Sequence, residues 1–243
     1  QGPLHEKVAD SYNNLGNCAV GKGQYTTGAA FHQKALQIRR QVLPANHPDL
    51  ATSFNNLGNC AYLSGQYPES LAFFEQALVI RSSQFGNQHP KTAQVLNNLG
   101  NVCAALGRSN EAIQYYRQAL DIRRKYFGER HPTVAGALEN MANLYFYQGD
   151  YIAALDFFRQ AHAIQREAQG EESASAASLW HSIGLCYQFE GDFDRALEHH
   201  LVAAAVLEKT FGASHPALGS LFNNLGNCYA GNQAPDARRQ TSS

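Results

Sequence analysis

The sequence predicts an all-α fold of stacked helical hairpins, about eleven helices in all, and three recurring signals carry that prediction. The dipeptide His-Pro begins at positions 47, 89, 131 and 215, so its copies lie 42 or twice 42 residues apart. The pentapeptide Asn-Asn-Leu-Gly-Asn begins at 13, 55, 97 and 223, with degenerate copies at 139 and 181. A glycine recurs at 23, 65, 107, 149 and 191. A fixed period of this length is typical of repeat architectures, in which each repeat is one supersecondary unit.

Each repeat has the pattern of two helices, as residues 47–86 illustrate. Pro48 suits a first helical turn, where a missing N–H group costs nothing. Gly65 interrupts the helical pattern and predicts a turn, and Gly86 ends the second helix, as a glycine just past a helix end should. The apolar stripe of the first helix is Phe54, Leu57 and Ala61, and that of the second is Leu71, Phe74, Ala77, Leu78 and Phe85.

A single hairpin cannot bury its apolar face, so we expect the hairpins to stack and to share one continuous core. Small residues at one equivalent position of the second helices allow close approach, and large residues at one position of the first helices fill the space between them. The small residues are Ala35, Ala77, Ala119, Ala161 and Ala203, and the large ones are Phe54, Leu96, Leu138, Trp180 and Phe222.

The same spacing predicts the domain organisation. We expect a single repeat domain over residues 5–230, with repeats at 5–46, 47–88, 89–130, 131–172 and 173–214 and a half repeat at 215–230. Residues 1–4 are interpreted as the remnant of a cleavable tag, and residues 231–243 as a polar tail.

Composition and charge exclude several classes of function. The 19 Lys and Arg residues nearly balance the 20 Asp and Glu residues, so no positive field favours nucleic acid. No apolar run approaches the ~20 residues of a membrane-spanning helix. The five cysteines, an odd number without a Cys-x-x-Cys pair, favour a reducing, cytoplasmic compartment. They are Cys18, Cys60, Cys103, Cys186 and Cys228. Four of them, Cys18, Cys60, Cys186 and Cys228, share one repeat position and are expected to be small buried residues.

The repeats resemble tetratricopeptide repeats, whose pattern is a large residue, Leu-Gly, Tyr, Ala, an aromatic residue and Ala. The fifth repeat matches with Trp180, Ile183, Gly184, Tyr187, Ala196, His200 and Ala203, and the second with Phe54, Leu57, Gly58, Ala61, Ser70, Phe74 and Ala77. The long period and the His-Pro openings resemble the kinesin light chain and nephrocystin-type subclass, and the Leu-Gly-Asn triplets resemble those of polarity adaptors. The resemblance implies a right-handed superhelical solenoid whose first helices line a concave, peptide-binding groove.

Asparagines recur on the first helices, at spacings of i, i+1 and i+4 that keep them on one side of each helix. The resemblance implies that this side faces the groove. All but Asn223 are candidate peptide-binding residues, with Asn17, Asn59, Asn101, Asn143 and Asn227 foremost. The full set is Asn13, Asn14, Asn17, Asn55, Asn56, Asn59, Asn97, Asn98, Asn101, Asn140, Asn143, Asn223, Asn224 and Asn227.

Two interpretations of these asparagines stay open. Each costs a helix interior roughly 0.6 kcal/mol relative to Ala, or on the order of 8 kcal/mol for the set, so a compensating role is expected. The amides either hydrogen-bond between adjacent repeats or pair with the backbone of an extended peptide, whose donor and acceptor they match. Pairing of the second kind would give affinity with little sequence preference.

Specificity is then expected where the asparagines are interrupted, in the fourth and fifth repeats. A candidate pocket there has ordinary packing between repeats as its alternative, and consists of Phe146, Tyr147, His181, Leu185, Gln188 and Phe189. The inward positions carry Asp10 and Glu139 but no Lys or Arg, which argues against a clamp for a C-terminal carboxylate. Arg39, Arg81 and Arg123 lie near second-helix C-termini, where cations stabilise the helix dipole.

No catalytic motif or metal-ligand spacing is present, so we expect neither an enzyme, a metal site nor a cofactor. The sequence therefore predicts a cytoplasmic adaptor that binds a linear peptide of a partner protein, and family analogy extends this to cytoskeletal or ciliary complexes. The alternative is an assembly scaffold that self-associates through its half repeat, where Leu221, Leu225 and Tyr229 would need cover.

Overall fold

The computed structural model describes residues 3–233, with side chains from residue 5 onward, as eleven α-helices and no strand. The all-α prediction is confirmed. The predicted tail beyond residue 233 and the first two residues of the predicted tag remnant lie outside the described residues. The helices are α1 (Pro3–Gly21), α2 (Tyr25–Val42), α3 (Pro48–Leu63), α4 (Tyr67–Phe85), α5 (Pro90–Ala105), α6 (Ser109–Phe127), α7 (Pro132–Tyr147), α8 (Tyr151–Gln169), α9 (Ala174–Glu190), α10 (Phe193–Phe211) and α11 (Pro216–Gln233).

The helices fall in two compact units, Gln1–Tyr126 and Phe127–Ser243, which we call unit 1 and unit 2. In unit 1, α2 packs against both α1 and α3, and α4 against both α3 and α5. In unit 2, α8 packs against α7 and α9, and α10 against α9 and α11. Each of these second helices therefore contacts the first helix of its own hairpin and that of the next, which is the predicted stacking.

The recurring His-Pro dipeptide caps the first helices. In each copy the histidine Nδ1 accepts a hydrogen bond from the backbone N–H two residues later, and the proline occupies the first helical turn. Three of the rings also stack on the phenylalanine four residues earlier, with centroids 4.8, 4.5 and 4.7 Å apart. The capped groups are Asp49 N to His47 (3.2 Å), Lys91 N to His89 (3.1 Å), Thr133 N to His131 (3.2 Å) and Ala217 N to His215 (3.3 Å).

The fifth repeat lacks His-Pro but keeps a cap of different chemistry. Ser173 Oγ accepts from Ala176 N at 3.2 Å. Ser173→Ala should therefore lower the free energy of unfolding by about 1 kcal/mol, whereas Ser173→Asp, which keeps an acceptor, should not. Urea denaturation followed by circular dichroism measures both variants. Equal losses in the two variants would contradict a capping role.

The Leu-Gly glycines bring each hairpin together. At the equivalent position of the second helices an aromatic ring lies on the glycine, so that a Cβ added to Gly58 would sit 2.8 Å from the Phe74 ring. Gly100 meets Tyr116 at 2.5 Å, and Gly184 meets His200 at 2.6 Å. The glycine and the aromatic residue of the repeat pattern are therefore two halves of one contact.

The predicted core is confirmed in most of its positions. All five equivalent alanines, from Ala35 to Ala203, are fully buried. Phe54, Leu96 and Leu138 expose no more than 5% of their surface. Trp180 is half-buried, however, and Phe222 is 55% exposed. Phe222 lies on α11, for which the described residues provide no second helix of its own hairpin.

Three further expectations need correction. Cys18 is exposed, while Cys60, Cys186 and Cys228, at the same repeat position, are buried as expected. On α11, Leu221 and Leu225 are buried, and of the three residues expected to need cover only Tyr229, at 53%, is exposed. The helix also continues to Gln233, three residues past the predicted end of the half repeat.

Candidate functional site

The asparagine-bearing side of the first helices, which we call the amide face, uses its first two positions for bonds between repeats. In unit 1, Asn56 Nδ2 donates to Asn13 Oδ1 at 2.8 Å, and Asn98 Nδ2 donates to Asn55 Oδ1 at 3.0 Å. The second asparagine of one repeat thus binds the first asparagine of the preceding repeat. This is the inter-repeat bonding that one interpretation expected, and each of these amides has one further polar group that the bond does not use.

The third asparagine of each repeat behaves differently. Asn17 is exposed and Asn59 is half-buried, and neither side chain hydrogen-bonds to another residue in the described part of the chain. Asn101 Oδ1 accepts from the Tyr116 hydroxyl at 2.8 Å. Burial raises the pKa of Tyr116, so its hydroxyl stays a proton donor, and the bond fixes the Asn101 side chain without using its NH₂ group.

Unit 2 carries a sparser amide face. Asn140 is half-buried and Asn143 is exposed, while Glu139 takes the first position of that repeat. Burial raises the pKa of the Glu139 carboxyl, and a hydrogen bond from Gln165 opposes that rise. On α11, Asn223 and Asn227 are exposed and Asn224 is half-buried.

The two remaining asparagines of unit 1 differ in exposure. Asn14 is exposed, whereas Asn97 is 9% exposed, which leaves it little surface for a ligand.

Arginines of the second helices reach the first helices, although the inward positions themselves carry no Lys or Arg. On α4, Arg81 Nη2 donates to Thr52 Oγ1 of α3 at 3.0 Å. Arg39 is 5% exposed, and its Nη2 lies 2.8 Å from Asp10 Oδ1. Its Nη1 donates to Ser53 Oγ at 2.8 Å. The guanidinium therefore links α2 to α1 and α3. The predicted role near a helix C-terminus is therefore incomplete for Arg39, because its buried guanidinium also forms an ion pair with the exposed carboxylate of Asp10.

The predicted pocket separates into two groups of residues. The first is an aromatic cluster at the helix ends of unit 2. Phe146 meets Phe189 edge-on with centroids 5.3 Å apart, and Tyr147 lies edge-on to Phe146 at 6.0 Å. Tyr151 stacks on Phe189 at 5.2 Å and also contacts Phe146. We call Phe146, Tyr147, Tyr151 and Phe189 the aromatic edge. Tyr147 is 85% exposed and Phe189 57% exposed, so these rings form a surface rather than a closed pocket.

The second group is a partly buried chain of polar contacts. His181 Nδ1 lies 3.3 Å from His200 Nδ1, and His200 Nε2 lies 3.4 Å from Gln188 Oε1. Cys228 Sγ donates to the same Gln188 oxygen at 3.4 Å. Burial lowers the pKa of His200 to about 4, with smaller contributions from His181 and His199. These contacts join α9, α10 and α11, which favours packing between repeats for His181 and Gln188. Leu185 is half-buried.

Sequence reasoning missed two residues of the aromatic edge region. Tyr151 completes the cluster, and Ile152 beside it is 69% exposed. Their signal was present in the turns Tyr-Gln-Gly-Asp-Tyr (147–151) and Phe-Glu-Gly-Asp-Phe (189–193), which have the same pattern.

A cleft of about 640 Å³ in unit 1 was also not predicted. Leu43, Phe54, Val79 and Ile80 contribute to its lining, and the Arg40 guanidinium lies 5.3 Å from the Phe54 ring centre. Val79 is 70% exposed. The signal was the Leu43-Pro44 pair, which stands where the second, third and fifth repeats have Phe-Gly. The lining includes none of the asparagines.

Two properties bound the chemistry of the site. Among residues 3–233, no three His, Cys, Asp or Glu side chains are grouped so that they could hold a metal ion. Every helix in that range is too short or too polar to span a bilayer.

Several solved structures share this fold. BtubC (BKLC) from P. vanneervenii is 22% identical, with a TM-score of 0.74 over 87% of this chain and 84% of that one. A putative kinesin light chain of Podosopora anserina with nearly identical TPR-like repeats is 23% identical, with a TM-score of 0.72 over 85% and 98%. A Rap protein complexed with Competence and Sporulation Factor is 19% identical, with a TM-score of 0.68 over 94% and 66%.

Sequence comparison gives the family. No curated protein matches the chain significantly. The tetratricopeptide repeat profile matches residues 7–81, 49–125, 91–167, 133–209 and 175–240, and so covers nearly the whole chain. This family is in general a non-enzymatic protein-interaction fold. The chain belongs to the tetratricopeptide repeat family.

Proposed function

We propose that this chain is a non-enzymatic adaptor that binds an extended peptide of a partner protein along its amide face. The family supports this, because tetratricopeptide repeats are in general a protein-interaction fold. One solved structure of similar fold is described as a complex with Competence and Sporulation Factor, which shows that such a fold accommodates a bound factor in that protein.

One observation carries the proposal: the third asparagines of unit 1, Asn17, Asn59 and Asn101, take no part in the asparagine bonds between repeats. Asn13, Asn55, Asn56 and Asn98 bond to one another, whereas Asn59 bonds to no other side chain or backbone group in the described residues. The half-buried carboxamide of Asn59 can therefore bind either water or a ligand. An extended peptide presents an N–H and a C=O group that such an amide matches.

Repeat spacing fits the same ligand. Packed helices lie roughly 8–10 Å apart, and an extended chain rises about 3.3 Å per residue. Successive third-position amides would therefore meet every third residue of a peptide. Contacts of this kind read the peptide backbone, so they supply affinity more than side-chain preference.

The test is a pair of alanine substitutions at the third position. Peptides selected on the wild-type chain from a random displayed library should lose at least about tenfold in affinity for the Asn59→Ala/Asn101→Ala variant, a change of about 1.4 kcal/mol. Fluorescence anisotropy measures the affinity, and helical circular dichroism should be unchanged. Failure to select any peptide, or equal affinity for both chains, would contradict the proposal.

Two controls separate binding from folding. Asn87→Ala removes an exposed loop asparagine and should leave the affinity unchanged. Asn101→Ala leaves the buried Tyr116 hydroxyl without its hydrogen-bond acceptor. The Asn59→Ala/Asn101→Ala substitutions are therefore also measured in a Tyr116→Phe background, where that hydroxyl is absent. The same tenfold loss in both backgrounds assigns the effect to the amides.

A second candidate function, self-association through α11, is favoured by a smaller observation. Phe222 and Tyr229, seven residues apart and hence on one side of the helix, are 55% and 53% exposed. Light scattering across a concentration series measures the mass. An increase with concentration that Phe222→Ser/Tyr229→Ser removes would support this function, and a constant monomer mass would exclude it.

A further inference from the structure

The aromatic edge of unit 2 is an exposed apolar surface with a defined shape. Phe146, Tyr151 and Phe189 pack on one another with centroids 5.2 to 5.3 Å apart and form the base of the surface. Tyr147 and Ile152 project from it, with 85% and 69% of their surface exposed. Exposed aromatic clusters of this kind are typical of sites where a partner places an anchoring side chain.

The charge around the aromatic edge is one-sided. Segments 145–158 and 185–198 contain six acidic residues and one basic residue, Arg195. Asp150 and Glu190, which adjoin Tyr151 and Phe189 in the chain, are both exposed. Arg195 pairs with Asp192 at 3.3 Å and lies over the Tyr187 ring, so its charge is already compensated. Arg159, the next basic residue along the chain, also lies over Tyr187 and hydrogen-bonds to its hydroxyl.

Equivalent turns of unit 1 lack this combination. In the second repeat, Leu63 holds the position of Tyr147 and Phe189 and is 46% exposed, and Tyr62 packs against Tyr67 at 5.7 Å. The residues at the positions of Asp150 and Glu190 are Gln66 and Ser64, which carry no charge. The second repeat is therefore an apolar turn without the acidic rim, and it provides a matched control within the same chain.

We propose that the aromatic edge docks a peptide segment in which an aromatic or large aliphatic residue is flanked by Lys or Arg. The inference rests on the proposed function, since it takes the ligand to be a peptide, and it adds the side-chain chemistry that the amides do not read. The anchoring residue packs on Tyr147 and Phe189, and the flanking cations lie toward Asp150 and Glu190. Charge complementarity of this kind mainly sets specificity and the rate of association. Acidic peptides, anionic membranes and nucleic acids are disfavoured by the same negative rim.

Position along the helix links this surface to the amide face. Tyr147 lies four residues after Asn143 on α7, and residues with that spacing share a side of a helix. Asn143 is exposed and has no side-chain hydrogen bond to another described residue. A peptide that pairs with Asn143 would thus bring a neighbouring side chain to the aromatic edge.

The test uses three labelled peptides in a Gly/Ser frame: a central phenylalanine flanked by lysines, the same with glutamates, and the lysine peptide with alanine at the centre. Anisotropy should show the first binding at least about tenfold more tightly than either of the others. Tyr147→Ala and Phe189→Ala should each weaken it about tenfold. Asp150→Asn, which preserves the helix cap, combined with Glu190→Gln should weaken it about threefold and flatten its salt dependence.

The matched control is Leu63→Ala, which should leave the affinity unchanged. Equal binding of the lysine and glutamate peptides, or an equal loss in Leu63→Ala and Tyr147→Ala, would overturn the inference. The Asn143→Ala variant separates the two proposals. If it keeps the lysine peptide while Tyr147→Ala loses it, the docking surface stands and the asparagine contact fails. If only Asn143→Ala loses the peptide, the docking surface fails.

Discussion

Gly58→Ala is expected to lower the free energy of unfolding by about 2 kcal/mol, although alanine is the better helix former. The added Cβ would lie 2.8 to 2.9 Å from three atoms of the Phe74 ring. Phe74 is 1% exposed, so its ring has no free space into which to move. The helices of the second hairpin would have to separate, which also disturbs both neighbouring hairpins. Urea denaturation followed by circular dichroism measures the loss.

Gly226→Ala is the matched control. Gly226 is the equivalent glycine on α11, but a Cβ there meets nothing within 4 Å. This substitution should be neutral or should stabilise by up to about 1 kcal/mol, because it removes only the backbone freedom of glycine. Similar losses in the two variants would show that the glycines do not act through contact with the second-helix ring.

Acid is expected to destabilise the chain through His200, by about 2 kcal/mol at pH 5 and about 3 kcal/mol by pH 4. His200 is fully buried, and its pKa is lowered to about 4, mainly by burial. A histidine whose folded-state pKa lies below its ordinary value of about 6.5 binds protons more readily when unfolded. Its contribution is therefore complete above pH 6.5 and is lost as pH falls toward 4. Denaturation midpoints across this range measure the effect.

His200→Phe isolates that contribution. Phe74 and Phe158 hold the equivalent position in the second and fourth repeats, so the fold accepts the ring. Between pH 6.5 and 4, the free energy of unfolding of the variant should change less with pH than that of the wild-type chain. The difference in slope should correspond to about one bound proton, whatever the stability of the variant at pH 7. His32, His162 and His181, whose pKa values are also lowered mainly by burial, should contribute to the remaining slope. An unchanged slope in the variant would show that His200 does not carry the effect.

The repeat spacing predicts the helices well because each hairpin contains its own signals. Pro48, Gly65 and Gly86 mark a helix start, a turn and a helix end, and the structure has α3 and α4 at Pro48–Leu63 and Tyr67–Phe85. Spacing carries no information on what lies beyond the last hairpin. Phe222 has the same position as the buried Phe54, but it is exposed because no described second helix of its own hairpin covers it.

The candidate site is less predictable from the sequence, because residues that are neighbours on one helix have different surroundings in the fold. Gln188 and Phe189 are adjacent, so their side chains point about 100° apart. Gln188 joins the partly buried chain of polar contacts, while Phe189 lies on the surface. Asn55, Asn56 and Asn59 share one side of α3, and only the packing of neighbouring first helices decides which of them bond across repeats. The ion pair of Arg39 could not be predicted from spacing either, because its long side chain reaches the carboxylate of Asp10 on another helix.

The most direct test of the central claim combines the asparagine substitutions with backbone methylation of a selected peptide. N-methylation removes one peptide N–H group at a time, and each effect is measured on the wild-type chain and on Asn59→Ala/Asn101→Ala. If the amides pair with the peptide backbone, the methyl groups that weaken wild-type binding most should cause little further loss in the variant, which gives a coupling energy of about 1 kcal/mol or more. Purely additive losses would contradict backbone recognition by the amide face.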